Sequence, residues 1–114
     1  MNKIKLIFAN TVILFVMMFL AAGVNLYAQD KNSAIAEKMS VRLQQKILLN
    51  DSQKESVKEI LNNYITDVSS GKPQETSYNN ADKKIAGLLN EKQKEKYDIV
   101  KDGWWNSINT AMKK

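Results

Sequence analysis

Two pairs of side-chain amides, each an asparagine followed three residues later by a glutamine, are the most regular chemical feature of the sequence. They lie in a repeated phrase, which reads LLNDSQKE from Leu48 and LLNEKQKE from Leu88. An asparagine that precedes a helix can accept a hydrogen bond from a backbone N–H of the first turn, and a glutamine three residues later can accept one from the asparagine's own N–H. The spacing therefore predicts two capping boxes, formed by the motifs Leu49, Asn50, Gln53 and Leu89, Asn90, Gln93.

The side chains that most enzymes require are missing from this sequence. It contains no His and no Cys, which excludes a Ser–His triad, a thiol nucleophile and the commonest acid–base residue. The carboxylates occur singly on polar faces, and the four glycines form no phosphate-binding loop. Zinc favours His and Cys ligands. We therefore expect no enzymatic activity, no metal and no cofactor.

The helices that would position these motifs can be read from the apolar spacing. Apolar residues recur every three or four positions, as they do along one face of an amphipathic helix. No segment has the alternation typical of a strand, and Gly71 and Pro73 mark a break. The sequence predicts an all-α fold, a hairpin or small bundle of three to four helices with two L-N-x-x-Q joints. The predicted helices are residues 33–48, 51–69, 80–89 and 91–112.

The amino-terminal residues have the features of a secretory signal peptide. Lys3 and Lys5 precede an apolar run from Leu6 to Val24, and Ala28 suits the position before a cleavage site. We predict a signal peptide over residues 1–28, a single α-helical domain over 29–114 and a periplasmic location. The alternative is an uncleaved anchor, because the apolar run is long enough to span a bilayer.

The predicted mature chain is small and only mildly basic. It keeps 15 of the 17 basic residues and all 12 acidic residues, an excess that does not indicate a nucleic-acid partner. Without cysteine it has no disulfide, and a small domain buries a limited share of its surface. A homodimer, with an antiparallel arrangement of the chains, would be one source of additional stability. No stable membrane insertion is expected after cleavage.

The two L-N-x-x-Q motifs, in an exported all-helical chain, resemble the LTxxQ family, the Spy/CpxP group of small periplasmic helical proteins. The resemblance covers about Ile35 to Ile108, with Asn in place of the usual Thr at each cap. Members of the family are longer, form antiparallel dimers shaped like a cradle, and bind unfolded proteins on the concave face without ATP. The resemblance implies an ATP-independent chaperone-like protein of the envelope stress response, with unfolded or aggregation-prone envelope proteins as partners.

Four residues are candidates for contact with such a client. Trp104 falls on the apolar stripe of the last helix, whereas Trp105 lies beside it and could be an exposed binding residue. The alternative is that both indoles pack in the core. Gly103 would let another backbone approach this point. A flexible methionine and two cations on the first helix complete the set, which is Met39, Arg42, Lys46 and Trp105.

Two other functions remain open on the sequence alone. The chain could be a regulatory partner that binds the periplasmic domain of an envelope stress sensor, or a structural envelope protein without clients. A single tight partner, rather than many weak clients, would distinguish regulation from chaperone activity.

Overall fold

The structure is a computed structural model that describes the backbone of residues 26–113 and the side chains of residues 31–113. The apolar run of the predicted signal peptide lies outside the described residues, and the predicted cleavage bond after Ala28 falls in the first helix. The chain divides into two units, Met1–Lys31 and Asn32–Lys114, and the packing described below belongs to the second. No helix within residues 26–113 combines the length and apolar character needed to cross a membrane.

Four α-helices account for nearly all of the described chain, and residues 26–113 contain no strand. The predicted all-α bundle is confirmed. The second predicted helix has the observed limits, and the last ends one residue later than expected. The first begins before residue 33, and Leu48 lies just beyond its end. The helices are α1, Leu26–Ile47; α2, Asp51–Ser69; α3, Gln74–Leu88; and α4, Glu91–Lys113.

The prediction was wrong at the start of α3, which begins at Gln74 and not near residue 80. Pro73 is the N-cap residue with φ −58°, an angle already suited to helix entry. The Ser77 N–H donates to the Pro73 carbonyl at 3.1 Å, which closes the first turn. Ser77 is buried and Tyr78 packs against the core. Packing against the core thus makes residues 74–79 helical, although this polar stretch looks like a linker in the sequence.

One continuous apolar core joins all four helices. Its centre is aromatic, with the rings of Tyr64 and Tyr78 in edge contact with Trp105 at centroid distances of 5.0 and 5.1 Å. The Trp104 indole N–H donates to the Met39 carbonyl at 2.8 Å, which ties α4 to α1. Within the described residues, no buried side-chain nitrogen or oxygen lacks a hydrogen-bond partner, so the polar groups inside this small core carry little desolvation penalty.

Candidate functional site

The first L-N-x-x-Q motif forms the joint between α1 and α2. The Gln53 backbone N–H donates to Asn50 Oδ1 at 2.7 Å, and the Asn50 N–H donates to Gln53 Oε1 at 3.0 Å. Asn50 has φ −76° and ψ 171°, the extended conformation typical of an N-cap. Asp51 occupies the first helical position, where a carboxylate favours the positive end of the helix dipole. The box therefore gives hydrogen-bond partners to the backbone N–H groups of Asn50 and Gln53, which have none within the helix.

The second motif repeats this geometry between α3 and α4. The Gln93 N–H donates to Asn90 Oδ1 at 2.8 Å, and the Asn90 N–H donates to Gln93 Oε1 at 3.1 Å. Gln93 is buried, with 8% of its surface exposed. Leu49 and Leu89, which precede the two caps, are both buried in the apolar core. The repeated phrase therefore builds the same local structure twice, with its leucines inward.

The two boxes are joined to each other through their glutamines. Gln53 Nε2 donates to the Leu88 carbonyl at 2.9 Å, and Gln93 Nε2 donates to the Leu48 carbonyl at 3.0 Å. The two side-chain amides also pair reciprocally, with Nε2 to Oε1 distances of 2.9 and 3.0 Å. Each glutamine thus serves its own helix start and the end of a helix in the other copy. We call this set the glutamine joint; it consists of Asn50, Gln53, Asn90 and Gln93.

The two glutamine amides of the joint have no hydrogen-bonding capacity left for a ligand. Each amide Nε2 carries two hydrogens and each Oε1 two lone pairs. The two Nε2 hydrogens of Gln53 are donated to the Leu88 carbonyl and to Gln93 Oε1. Its Oε1 accepts from the Asn50 backbone N–H and from Gln93 Nε2. The amide of Gln93 is occupied in the corresponding way. The role of these residues is therefore structural, and the contact between the two copies was not apparent from either copy alone.

Trp105 is buried within the described residues, so the expectation that it is an exposed contact residue is wrong. Its side chain is 3% exposed, and its indole N–H donates to the Tyr97 hydroxyl at 2.9 Å. Trp104 is buried as well, so the alternative reading of both indoles as core residues describes the structure. At Gly103 an added Cβ would meet nothing within 4 Å, so no other described part of the chain approaches its backbone there.

Met39 and Arg42 lie together at an open groove between α1 and α4, which we call the α1/α4 groove. Its cavity volume is about 460 Å³. Lys46 is exposed on α1 but does not line the groove. Met39 is 3% exposed, so it forms part of the groove's floor and not a projecting contact. The α1 side consists of Ala34, Ile35, Lys38, Met39 and Arg42, and the α4 side of Asn106, Ser107, Thr110 and Ala111.

Charges near the groove are predominantly positive. Among the described residues that line it, two are basic and none is acidic. Glu37, on the same helix, pairs with Lys58 of α2 at 2.9 Å. The hydrogen bond and charge of Lys58 lower the pKa of Glu37, and Glu37 raises the pKa of Lys58 in turn. Glu37, the acidic residue of α1 whose side chain is described, is therefore engaged with α2.

Tyr97 is a buried titratable residue of the core. Burial raises the pKa of its hydroxyl well above the ordinary value, and the hydrogen bond to Asp82 adds to the shift. The hydroxyl donates to Asp82 Oδ1 at 2.6 Å while it accepts from Trp105. This chain of three residues links α3 and α4. Both polar contacts of Tyr97 are internal, which indicates a packing role and not a catalytic one.

The described residues contain no group of three His, Cys, Asp or Glu side chains placed to hold a metal ion. No protein-family model, curated protein or solved structure matches the chain. The resemblance to the Spy/CpxP group therefore depends on the two L-N-x-x-Q motifs and their layout.

Proposed function

We propose that the protein is an ATP-independent, chaperone-like protein of the cell envelope that binds unfolded or aggregation-prone proteins. The observation that carries this proposal is the glutamine joint. Both L-N-x-x-Q motifs form capping boxes, and the boxes meet at one point. A repeat of this kind holds helices together, and the family that the repeat resembles uses a helical scaffold to hold unfolded clients.

The surface of α1 offers the contacts that such binding needs. Lys38, Arg42 and Lys46 are exposed at four-residue intervals, which places them along one ridge of the helix. The apolar floor at Ile35 and Met39 lies beside two of these cations. A client segment with acidic and apolar side chains would meet complementary groups on this surface, at an affinity that depends on salt.

The experiment is the aggregation of a chemically unfolded model protein, followed by light scattering without ATP. Protein expressed from the complete sequence, so that any processing takes place, is added at near-equal molar ratio. We expect suppression that weakens at high salt and in the double variant Arg42→Gln/Lys46→Gln. The matched control is Lys83→Gln/Lys84→Gln, which removes the same charge from exposed positions of α3. Undiminished aggregation at several-fold excess would refute the proposal.

A regulatory partner of an envelope stress sensor is the second candidate. The observation that favours it is the small apolar surface, since the exposed large apolar residues of the described chain are Leu48 and Ile99. A protein that holds many clients normally presents a larger apolar patch. Capture of one envelope protein at fixed stoichiometry, together with no suppression of aggregation, would favour regulation over chaperone activity.

A further inference from the structure

The α1/α4 groove is lined on both helices by a mixture of large and small residues. Trp104 fills the space against Met39 and donates to its carbonyl. Farther along, Ala34 and Ala111 contribute only methyl groups to the lining. Small side chains such as these leave more open space than larger ones would. The open cleft has a volume of about 460 Å³, within the size range of small-molecule sites.

Two cations mark one side of this cleft. Lys38 and Arg42 are four residues apart on α1 and both line it, so they project from neighbouring turns of one helix edge. Neither makes a salt bridge within residues 31–113. The Asn106 side chain lies in the α4 wall and adds an amide donor. The site is thus suited to an anion, and the planar guanidinium of Arg42 suits a carboxylate in particular.

The remaining wall is poor in groups that could serve a peptide backbone. The Ser107 hydroxyl donates to the Gly103 carbonyl at 3.0 Å, and that of Thr110 donates to the Asn106 carbonyl at 2.8 Å. The backbone groups of both walls lie inside helices, where they bond to one another. Because these hydroxyl hydrogens and backbone groups are already used, an extended peptide would bring C=O acceptors that find few donors here besides the groups that bind the anion. A saturated hydrocarbon chain has no such requirement.

From these observations we infer that the α1/α4 groove is a binding site for a single-chain anionic amphiphile, a carboxylate joined to an acyl chain. The carboxylate lies between Lys38 and Arg42, and the chain follows the apolar floor formed by Ile35 and Met39 toward Ala111. Burial of each methylene group favours binding, and the two cations fix the orientation. The ligand goes beyond the proposed function, although the site shares Lys38, Arg42 and the apolar floor with the surface proposed for clients.

The test is calorimetric titration of the purified protein, expressed from the complete sequence, with decanoate below its micellar concentration. We expect saturable binding at one site, weakened by salt. Lys38→Gln/Arg42→Gln should reduce the affinity about tenfold or more, because it removes both charge-assisted contacts. The matched control, Lys83→Gln/Lys84→Gln, changes net charge equally at exposed positions outside the groove and should leave the affinity unchanged. Ala111→Phe should block binding by filling the path of the chain, with thermal unfolding as the check on folding.

Several outcomes would overturn the inference. Decanol binding as tightly as decanoate would show that the cations play no part. Equal affinity in the groove and control variants, or uptake without saturation, would place the amphiphile elsewhere. A short acidic peptide that binds more tightly than decanoate and competes with it would make the groove a peptide site. Because the aggregation assay contains no amphiphile, failure of either proposal can be recognised without the other.

Discussion

At the residue scale, the amides of Gln53 and Gln93 show how one common side chain can serve the start of one helix and the end of another. Each closes its own capping box and also reaches a carbonyl at the end of a helix in the other copy. Leu48 has φ +60°, an unfavourable angle for a residue with a β-carbon. Its carbonyl accepts from Gln93, so the strained residue is held by the joint that it precedes.

Replacement of either capping asparagine tests the boxes individually. Asn50→Ala or Asn90→Ala removes the acceptor of one backbone N–H and should lower the free energy of unfolding by about 1 kcal/mol. Urea denaturation is the measurement. Gln45→Ala, at an exposed position within α1, is the control and should change the free energy by less than about 0.5 kcal/mol. Unchanged stability in both asparagine variants would contradict the capping role.

The buried hydroxyl of Tyr97 predicts a loss of stability at alkaline pH. Its pKa is raised in the folded state by burial, so the folded chain holds this proton more tightly than the unfolded chain. The stabilisation is complete below the ordinary tyrosine pKa, near pH 10.0, and is lost progressively as the pH rises above it. The unfolding free energy, measured by urea denaturation across this range, should fall less steeply in Tyr97→Phe. Equal slopes in the two proteins would contradict the assignment.

At the element scale, the apolar spacing and the caps were sufficient to predict most of the fold. Asn50 and Asn90 carry their own helix-start signal, and this is why the starts of α2 and α4 were predicted correctly. The start of α3 depends on the burial of Ser77 and Tyr78, which no local pattern encodes. Trp105 was misjudged for a related reason, since its burial requires rings from two other helices.

The candidate site was harder to predict than the helices. The four capping residues follow from local spacing, but the pairing of Gln53 with Gln93 joins positions 40 residues apart. In the sequence, only the near identity of the two phrases indicates that Gln53 and Gln93 are related. The α1/α4 groove is lined by residues of two helices that are far apart in the sequence, such as Ala34 and Ala111, so neither sequence segment alone reveals it.

Two glycines provide a test of the turn between α2 and α3. Gly71 has φ +97°, which residues with a β-carbon rarely adopt, so Gly71→Ala should destabilise the protein by about 1 kcal/mol or more. Gly103 is exposed within α4, where an added Cβ meets nothing within 4 Å. Gly103→Ala should therefore stabilise the protein by about 0.5–1 kcal/mol. Thermal unfolding of both variants is the measurement, and a Gly71→Ala variant as stable as the unchanged protein would contradict this account of the turn.

At the scale of the whole molecule, the glutamine joint connects two helix pairs that also meet through the apolar core and through single hydrogen bonds, such as that from Trp104 to the Met39 carbonyl. One pair is α1 with α2 and the other α3 with α4, each with its own L-N-x-x-Q joint. The sequence has no cysteine and therefore no disulfide, and a core of this size supplies only a modest margin of stability. Hydrogen bonds that join the two pairs at one partly buried point make them depend on each other.

The central claim is that the repeated motif forms one joint and not two independent caps. A double-mutant cycle measures this directly, with urea unfolding of Gln53→Ala, Gln93→Ala and the double variant. Each single change strands polar groups of the other copy and should cost about 2 kcal/mol. The double variant should cost less than the sum by about 1 kcal/mol or more. Costs that add to within about 0.3 kcal/mol would show two separate caps and contradict the account.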